Sequence, residues 1–183
     1  MSLSLCNFSS MFKLKTTVPC ELIASAFANS EHDKTRRCVN LSWQAQPCSV
    51  YFRIRESGIV IQMGADSEEN AKTVCEALYR KLQQILLPVE LQFCEYRIFS
   101  RHAVYRNQAP INLYKLAASF PPGQYRMELE LAPGLTLRIR MNGKMFTVRI
   151  YATGTVTIMG NNKPEEIRAV LQRVFDAIKL VAA

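Results

Sequence analysis

The sequence predicts an α+β fold built from two repeated halves, and three observations predict it. Two segments match at a single offset: Val50-Tyr-Phe-Arg-Ile-Arg-Glu-Ser-Gly-Ile-Val-Ile-Gln-Met-Gly64 and Phe146-Thr-Val-Arg-Ile-Tyr-Ala-Thr-Gly-Thr-Val-Thr-Ile-Met-Gly160. Arg53/Arg149, Ile54/Ile150, Gly58/Gly154, Val60/Val156, Met63/Met159 and Gly64/Gly160 are identical, all 96 positions apart (58 to 154). The same order of elements brackets both segments. The junction Leu86-Leu-Pro-Val89 is too short for a flexible linker, so residues 1–88 and 89–183 are expected to share one continuous antiparallel sheet.

Taken in order, Asn7 to Lys15 reads as a strand, and Pro19 opens a short helix that runs to Phe27. Arg37 to Gln44 is strand-like. Within the repeat, alternation and β-branched residues give two strands around the turn glycine Gly58, and Gly64 ends the second. Asp66 or Ser67 caps the helix that follows, and Glu68 and Glu69 suit its positive end. Its apolar stripe is Val74, Leu78, Leu82 and Ile85.

The second half repeats this plan. Tyr96 to Arg106 is a strand, Pro110 opens a helix, and Leu135 to Met141 is strand-like. Gly154 turns the hairpin. Asn162 caps the last helix, Pro164 opens it, and Glu165 and Glu166 follow. The stripe here is Ile167, Val170, Val174 and Ile178. Cys75, Tyr79, Leu171 and Phe175 widen the two stripes at the same offset and read as core.

Half of the residues are hydrophobic and a fifth charged, which points to a globular chain. The net charge of +8 favours an anionic partner, most often nucleic acid. The cysteines Cys6, Cys20, Cys38, Cys48, Cys75 and Cys94 form no C-x-x-C pair, and His32 and His102 lie far apart, so no metal is expected. The thiols read as reduced, mostly core residues of a cytosolic or nuclear chain. No stretch nears the ~20 apolar residues of a membrane span. No glycine-rich nucleotide loop, nucleophile elbow or catalytic constellation is present, so no enzyme, cofactor or small-molecule substrate is expected. His32 sits in Glu31-His-Asp-Lys-Thr-Arg-Arg37, which reads as a solvated loop.

Several local sequences, in order and spacing, resemble the TATA-box-binding protein family from about Asn7 to Leu180. The family pattern around the turn is roughly apolar-Phe-x-Ser-Gly-Lys-x-x-x-Thr-Gly-Ala-x-Ser-Glu-Glu. Ser57-Gly58 and Gly64-Ala-Asp-Ser-Glu-Glu69 follow it. Glu95-Tyr-Arg-Ile-Phe-Ser100 is similar to the family's Asp-Phe-Lys-Ile-Gln-Asn. Glu128-Leu-Glu-Leu-Ala-Pro-Gly-Leu135 is similar to its Glu-Pro-Glu-Leu-Phe-Pro-Gly-Leu. The resemblance implies a pseudo-symmetric saddle, with one curved antiparallel sheet as the concave face and helices on the convex face. It implies a nuclear transcription-initiation factor whose underside meets the DNA minor groove, where phenylalanine pairs wedge between base steps.

This chain departs from that pattern at the groove. The four wedge positions fall on Cys38, Arg55, Ala132 and Tyr151, none of them phenylalanine. Cysteine and alanine are too small to fill an opened step, and arginine would carry a charge into it. Kinking of a TATA element in the family manner is therefore not expected. The remaining groove positions map to Asn7, Ser9, Ser100 and His102, to Ile61, Met63, Thr157 and Met159, and to Arg138. Arg53 and Arg149 stand where the family has apolar contacts. Arg53, Arg55 and Arg149 alternate onto one face with Tyr151, a mode suited to reading groove shape. Three readings stand for that face: minor-groove contact, another anionic or protein ligand, and a solvated surface without a ligand. The resemblance further implies docking of general transcription factor IIB on Glu128, Glu130 and Leu131, and of factor IIA near Glu31. A protein-interaction module with no DNA role is the alternative.

Overall fold

A computed structural model describes residues 3–44, 46–106, 109–128, 132–160 and 163–182. Its elements are β1 (Leu3–Leu14), α1 (Cys20–Ala26), β2 (Ser30–Asp33), β3 (Cys38–Trp43), β4 (Val50–Arg55), β5 (Ile59–Ala65) and α2 (Glu68–Ile85). They continue as β6 (Phe93–Arg106), α3 (Leu113–Ala118), β7 (Tyr125–Glu128), β8 (Ala132–Met141), β9 (Lys144–Ile150), β10 (Thr155–Gly160) and α4 (Pro164–Ala182). The strand order is β2-β3-β4-β5-β1-β6-β10-β9-β8-β7. The chain divides into two compact units, Asn7–Ser100 and Met1–Cys6 with Arg101–Ala183. The long strands β1 and β6 contribute to both.

In the Asn7–Ser100 unit, alternate residues of each strand are buried. Phe12 and Leu14 of β1, Val39 and Leu41 of β3, Phe52 and Ile54 of β4 and Val60 of β5 line the core. Val74, Leu78 and Leu82 of α2 are fully buried against them, as helical spacing requires. Helix α2 opens at Ser67, whose hydroxyl accepts the Asn70 N–H at 3.1 Å, so of the two capping candidates Ser67 fills the role. Phe12 and Tyr79 pack on Phe93 with ring centroids 4.6 and 5.5 Å away. The Tyr79 hydroxyl donates to the Leu91 carbonyl at 2.8 Å, and Gln83 bonds the Val89 carbonyl and the Leu91 N–H, both at 2.8 Å. These bonds tie the segment after α2 back onto the helix.

Two polar side chains of this unit, Ser10 and Gln62, are fully buried and face each other across β1 and β5. With its Nε2 turned to Ser10 Oγ at 2.9 Å, the Gln62 amide also accepts the Met63 and Ala65 N–H groups at 3.2 and 3.0 Å. Ser10 Oγ lies 3.4 Å from Cys75 Sγ, and burial pushes that thiol up to about 12. Cys75 is therefore an inert core thiol. Cys20 and Cys38 are also buried, while Cys6, Cys48 and Cys94 are half-buried; all six are free.

The second unit has one contiguous core. Leu135 and Leu137 of β8, Phe146 and Val148 of β9, Val156 and Ile158 of β10 and Ile167, Val170 and Val174 of α4 build it. Tyr105 meets Phe175 edge-on at 4.3 Å. Lys144 Nζ bonds both Glu166 oxygens at 2.7 and 3.0 Å, and the Lys163 N–H donates to the same carboxylate at 2.9 Å. This holds the start of α4 to the start of β9. Helix α4 opens at Pro164 as expected; Asn162, expected as its cap, lies outside the described residues.

Three expectations are corrected. Helix α3 begins at Leu113, not at Pro110, because Asn112 Oδ1 accepts the Lys115 N–H at 3.1 Å and sets the start. The charged stretch from Glu31 is not all loop: Ser30–Asp33 pairs with β3 as an outer strand. Tyr125–Glu128 is a strand that the sequence reading missed. Its Tyr125 and Met127 pack on the core and Arg126 points away, an alternation that was there to be read.

Two hairpin glycines differ in what surrounds them. Gly58 (φ 79°) sits where a Cβ would run into the carbonyl oxygens of Leu14 and Thr16. Its own carbonyl accepts the Leu14 N–H at 2.9 Å. Gly143 (φ 74°) closes the Asn142-Gly143 turn between β8 and β9 with open space around it. Gly143→Ala is expected to cost roughly 1 kcal/mol of backbone strain, and Gly58→Ala about 3 kcal/mol or more because β1 must also move. Urea unfolding midpoints of the two variants check the order.

Candidate nucleic-acid interface

Burying alternate residues of each strand leaves the others on an open face. In β4, Val50, Phe52 and Ile54 are buried, Tyr51 and Arg53 are half-buried and Arg55 is exposed. In β5, Ile59, Ile61 and Met63 stay half-buried beside buried Val60 and Gln62. The register converts these positions into rows across the strands. Asn40, Arg53, Ile61 and Met11 are successive cross-strand partners, and so are Ser42, Tyr51, Met63 and Ser9.

The second unit repeats the geometry with other chemistry. Arg126, Thr136, Arg149, Thr157 and Val104 form one row through β7, β8, β9, β10 and β6. Arg138, Thr147, Met159 and His102 form the next. The rows of the first unit thus mix the apolar Met11, Ile61 and Met63 with Asn40, Ser42, Tyr51 and a single arginine, Arg53, whereas those of the second carry three arginines and three threonines beside Val104, Met159 and His102. Sequence reasoning missed Arg126, Thr136, Thr147 and Arg140. The period of two along Thr136, Arg138 and Arg140 was the signal that could have found them.

The expected site residues fall as follows. Arg53, Ile61 and Met63 share the first unit's rows, and Arg138, Arg149, Thr157, Met159 and His102 share the second's. Arg55 is exposed at the end of β4, opposite Cys38. Cys38 is 1% exposed and Ser9 6%, so neither displays its side chain. Asn7 is exposed at φ 54°, just before the irregularity at Phe8 and Ser9, and lies outside both rows. Ser100 is half-buried on β6. Tyr151 follows β9, half-buried, with its N–H donating to the Thr155 carbonyl at 2.9 Å. Ala132 starts β8 opposite Glu128. The side chains of those two residues, and all of Glu130 and Leu131, lie outside the described residues. Glu31 is exposed on β2 opposite Asn40.

The two repeat-related arginines differ in their partners. Arg53 Nε donates to Asn40 Oδ1 at 3.0 Å. Arg149 Nε is buried and meets no acceptor among the described residues. Beside Arg149 opens a cavity of about 560 Å³ whose lining includes Arg126, Arg138, Thr136 and Thr147, and no acidic residue among the described ones. Among the described residues no cluster of His, Cys, Asp and Glu could hold a metal. What this arrangement can do is hold an anion.

The model of the family described as transcription factor TFIID, or TATA-binding protein, matches residues 2–85 and 95–181. The chain belongs to the TATA-binding-protein family. The strand and helix order is that family's fold: Methanococcus jannaschii TBP superposes with a TM-score of 0.77 over 99% of both chains, at 23% identity. Among curated proteins, TATA box-binding protein-like 1 of Caenorhabditis elegans is 25% identical over 167 residues, covering 88% of this chain and 32% of that protein. The chain thus spans about a third of that relative's length. The family is one of transcription factors that bind DNA, and the α+β TBP-like class expected from the repeat together with the family resemblance is the class observed.

His102 gives this face a pH-dependent member. Half-burial lowers its pKa below the usual histidine value, since desolvation disfavours the imidazolium. Its contribution to stability is full above the unfolded pKa of about 6.5 and is lost as pH falls through the lower folded value. Stability is therefore expected to drop on acidification in that window, and His102→Gln to flatten the drop. NMR titration of the imidazole alongside unfolding at several pH values checks both.

Proposed function

We propose that this chain is a divergent TATA-binding-protein-like initiation factor of the nucleus, one that holds DNA through its open face without kinking a TATA element. The observation that carries this reading is the chemistry of that face. The wedge positions carry Arg55, Cys38, Ala132 and Tyr151, while arginines and threonines occupy the rows between them. An inserted apolar ring offsets the few kcal/mol lost on unstacking a base step. A buried thiol at Cys38 and a charge at Arg55 supply no such ring. Arginines instead favour phosphate contact and a narrow groove.

In this reading the protein is a platform. The segment from Glu128 to Leu131 offers Glu128 and Glu130 to factor IIB, and Glu31 on the outer strand β2 is the candidate contact for factor IIA. Promoters without a TATA element are the natural targets. A second reading draws on the apolar row members Met11, Ile61 and Met63 with Tyr51, which suit a protein segment as well as a groove. There the chain would be an interaction module with no DNA role.

Energy transfer between the ends of a labelled duplex separates these readings. Neither a TATA duplex nor a scrambled one is expected to bend, and both should bind with affinity that falls steeply with salt. Replacing Arg53, Arg55 and Arg149 together by alanine should lower the slope of log K against log salt by about one for each phosphate contact removed. Sharp bending of the TATA duplex alone would show that the wedge positions still work. Absence of duplex binding at low salt would favour the interaction module.

A further inference from the structure

Where β3 ends, β4 begins and β5 ends, the Asn7–Ser100 unit holds a cavity of about 300 Å³ whose lining includes Ser42, Trp43, Gln44, Ser49, Tyr51 and Met63. No charged side chain lines it among the described residues. Register brings its members together: Ser42 lies across from Tyr51, and Tyr51 across from Met63. Trp43 is half-buried and held by Phe27 and Phe52, with ring centroids 5.7 and 6.1 Å away. Tyr51 is also half-buried but meets no other ring among the described residues. The hydroxyls of Ser42, Ser49 and Tyr51 and the Gln44 amide make no hydrogen bond to a described residue.

The second unit has a different chemistry at the same register positions. Arg138, Ile139, Arg140 and Thr147 stand there, 96 positions on (42 to 138), in place of Ser42, Trp43, Gln44 and Tyr51. Aromatic rings and neutral polar groups are thus particular to the first unit. Such a lining recognises a flat, uncharged ring with hydrogen-bonding edges. The ring faces and the Met63 thioether take the flat side, and the hydroxyls and amide take the edge. A nucleobase is a ligand of that kind. A base within a duplex cannot enter, because its neighbours in the stack cover both of its faces. A phosphate finds no counter-charge here, and an aliphatic side chain would leave the polar groups without partners.

We infer that the first unit carries a pocket for one unpaired nucleobase, with Tyr51 as the stacking platform, Trp43 and Met63 as walls, and Ser42, Gln44 and Ser49 as partners for the base edge. The ligand is a single-stranded stretch of nucleic acid, which the duplex-holding reading above does not cover. The pocket does not depend on that reading, since stacking on an aromatic ring is open to any strand whose bases are free.

Trp43 is the only tryptophan of the chain, so its emission reports on this cavity. The full chain is titrated with a short single strand of mixed sequence, an abasic strand of the same length and charge, the matching duplex, and a peptide carrying phenylalanine and methionine. The base-bearing strand is expected to quench Trp43 and to bind about tenfold more tightly than the abasic one, as one stack on an aromatic ring contributes. Raising salt should weaken both strands and leave their ratio in place, because the difference between them carries no charge. Tyr51→Thr introduces the residue type that the second unit has at this position, and it should erase the ratio. Tyr51→Phe should keep it.

Equal binding of the abasic and base-bearing strands, or a ratio that survives Tyr51→Thr, overturns the pocket. Quenching by the peptide and not by the strand overturns it in favour of protein docking. Duplex binding without the strand ratio leaves the duplex-holding reading in place and removes the pocket; the ratio without duplex binding does the opposite. Should Tyr51→Thr fail to fold, nuclear Overhauser contacts between the Tyr51 ring and base protons of the bound strand decide, and their absence overturns the inference.

Discussion

Each strand of this protein can bury only alternate side chains, and that constraint organises the rest. Phe52 and Ile54 are committed to the core, so Tyr51, Arg53 and Arg55 are committed to the other face. The same holds for Phe146 and Val148 against Thr147 and Arg149. Core positions are fixed by packing against α2 or α4, where a lost methylene is felt. Open-face positions carry no such penalty. A chain can therefore keep the family fold while replacing the chemistry of its underside. The buried residues Val74, Leu78 and Leu82 of α2 and Ile167, Val170 and Val174 of α4, against the arginines on the open face of the strands, are that division made visible.

This division also explains what was legible in the sequence. Helices α2 and α4 and the hairpins β4-β5 and β9-β10 were readable because their burial is periodic and strong: Val74, Leu78 and Leu82 at helical spacing, Val60 and Val156 at alternate positions. Outer strands gave a fainter signal. Ser30–Asp33 pairs on one side only and buries none of its residues, so nothing apolar marks it. Pro110 suggested a helix start, but a proline permits a start without requiring one, and the Asn112 side chain set it three residues later. At the candidate site, period two could have identified Thr136, Thr147 and Arg126. No pattern in the sequence could show that Arg53 Nε has an acceptor and that Arg149 Nε has none among the described residues, because that depends on which residue lies across the ladder.

Internal repetition gives this fold a particular freedom. Two copies of one plan can share a scaffold and diverge in task, because a change at one member of an equivalent pair leaves the other untouched. Asn40 against Thr136 is such a change: a carboxamide against a hydroxyl, at one register position, where the carboxamide accepts from the neighbouring arginine Nε and the hydroxyl does not. Ser9 against His102 is another, each across from a repeat-related methionine, Met63 or Met159. One is a buried hydroxyl and the other an imidazole held below its ordinary pKa by desolvation. The relatedness of the halves is thus preserved in backbone and core, and lost in the groups on the open face.

The outermost strands have a consequence for the chain's behaviour in a crowded solution. β2 and β7 are four residues each, and they end the strand order on both sides. A long, flat, apolar strand at such a place would offer its free N–H and C=O groups to any passing chain and seed fibrils. Here one terminus reads Ser-Glu-His-Asp and the other alternates arginine into Tyr-Arg-Met-Glu. Shortness leaves few groups to template an intruding strand, and charge makes each one costly to dehydrate. The edges are built to refuse an added strand.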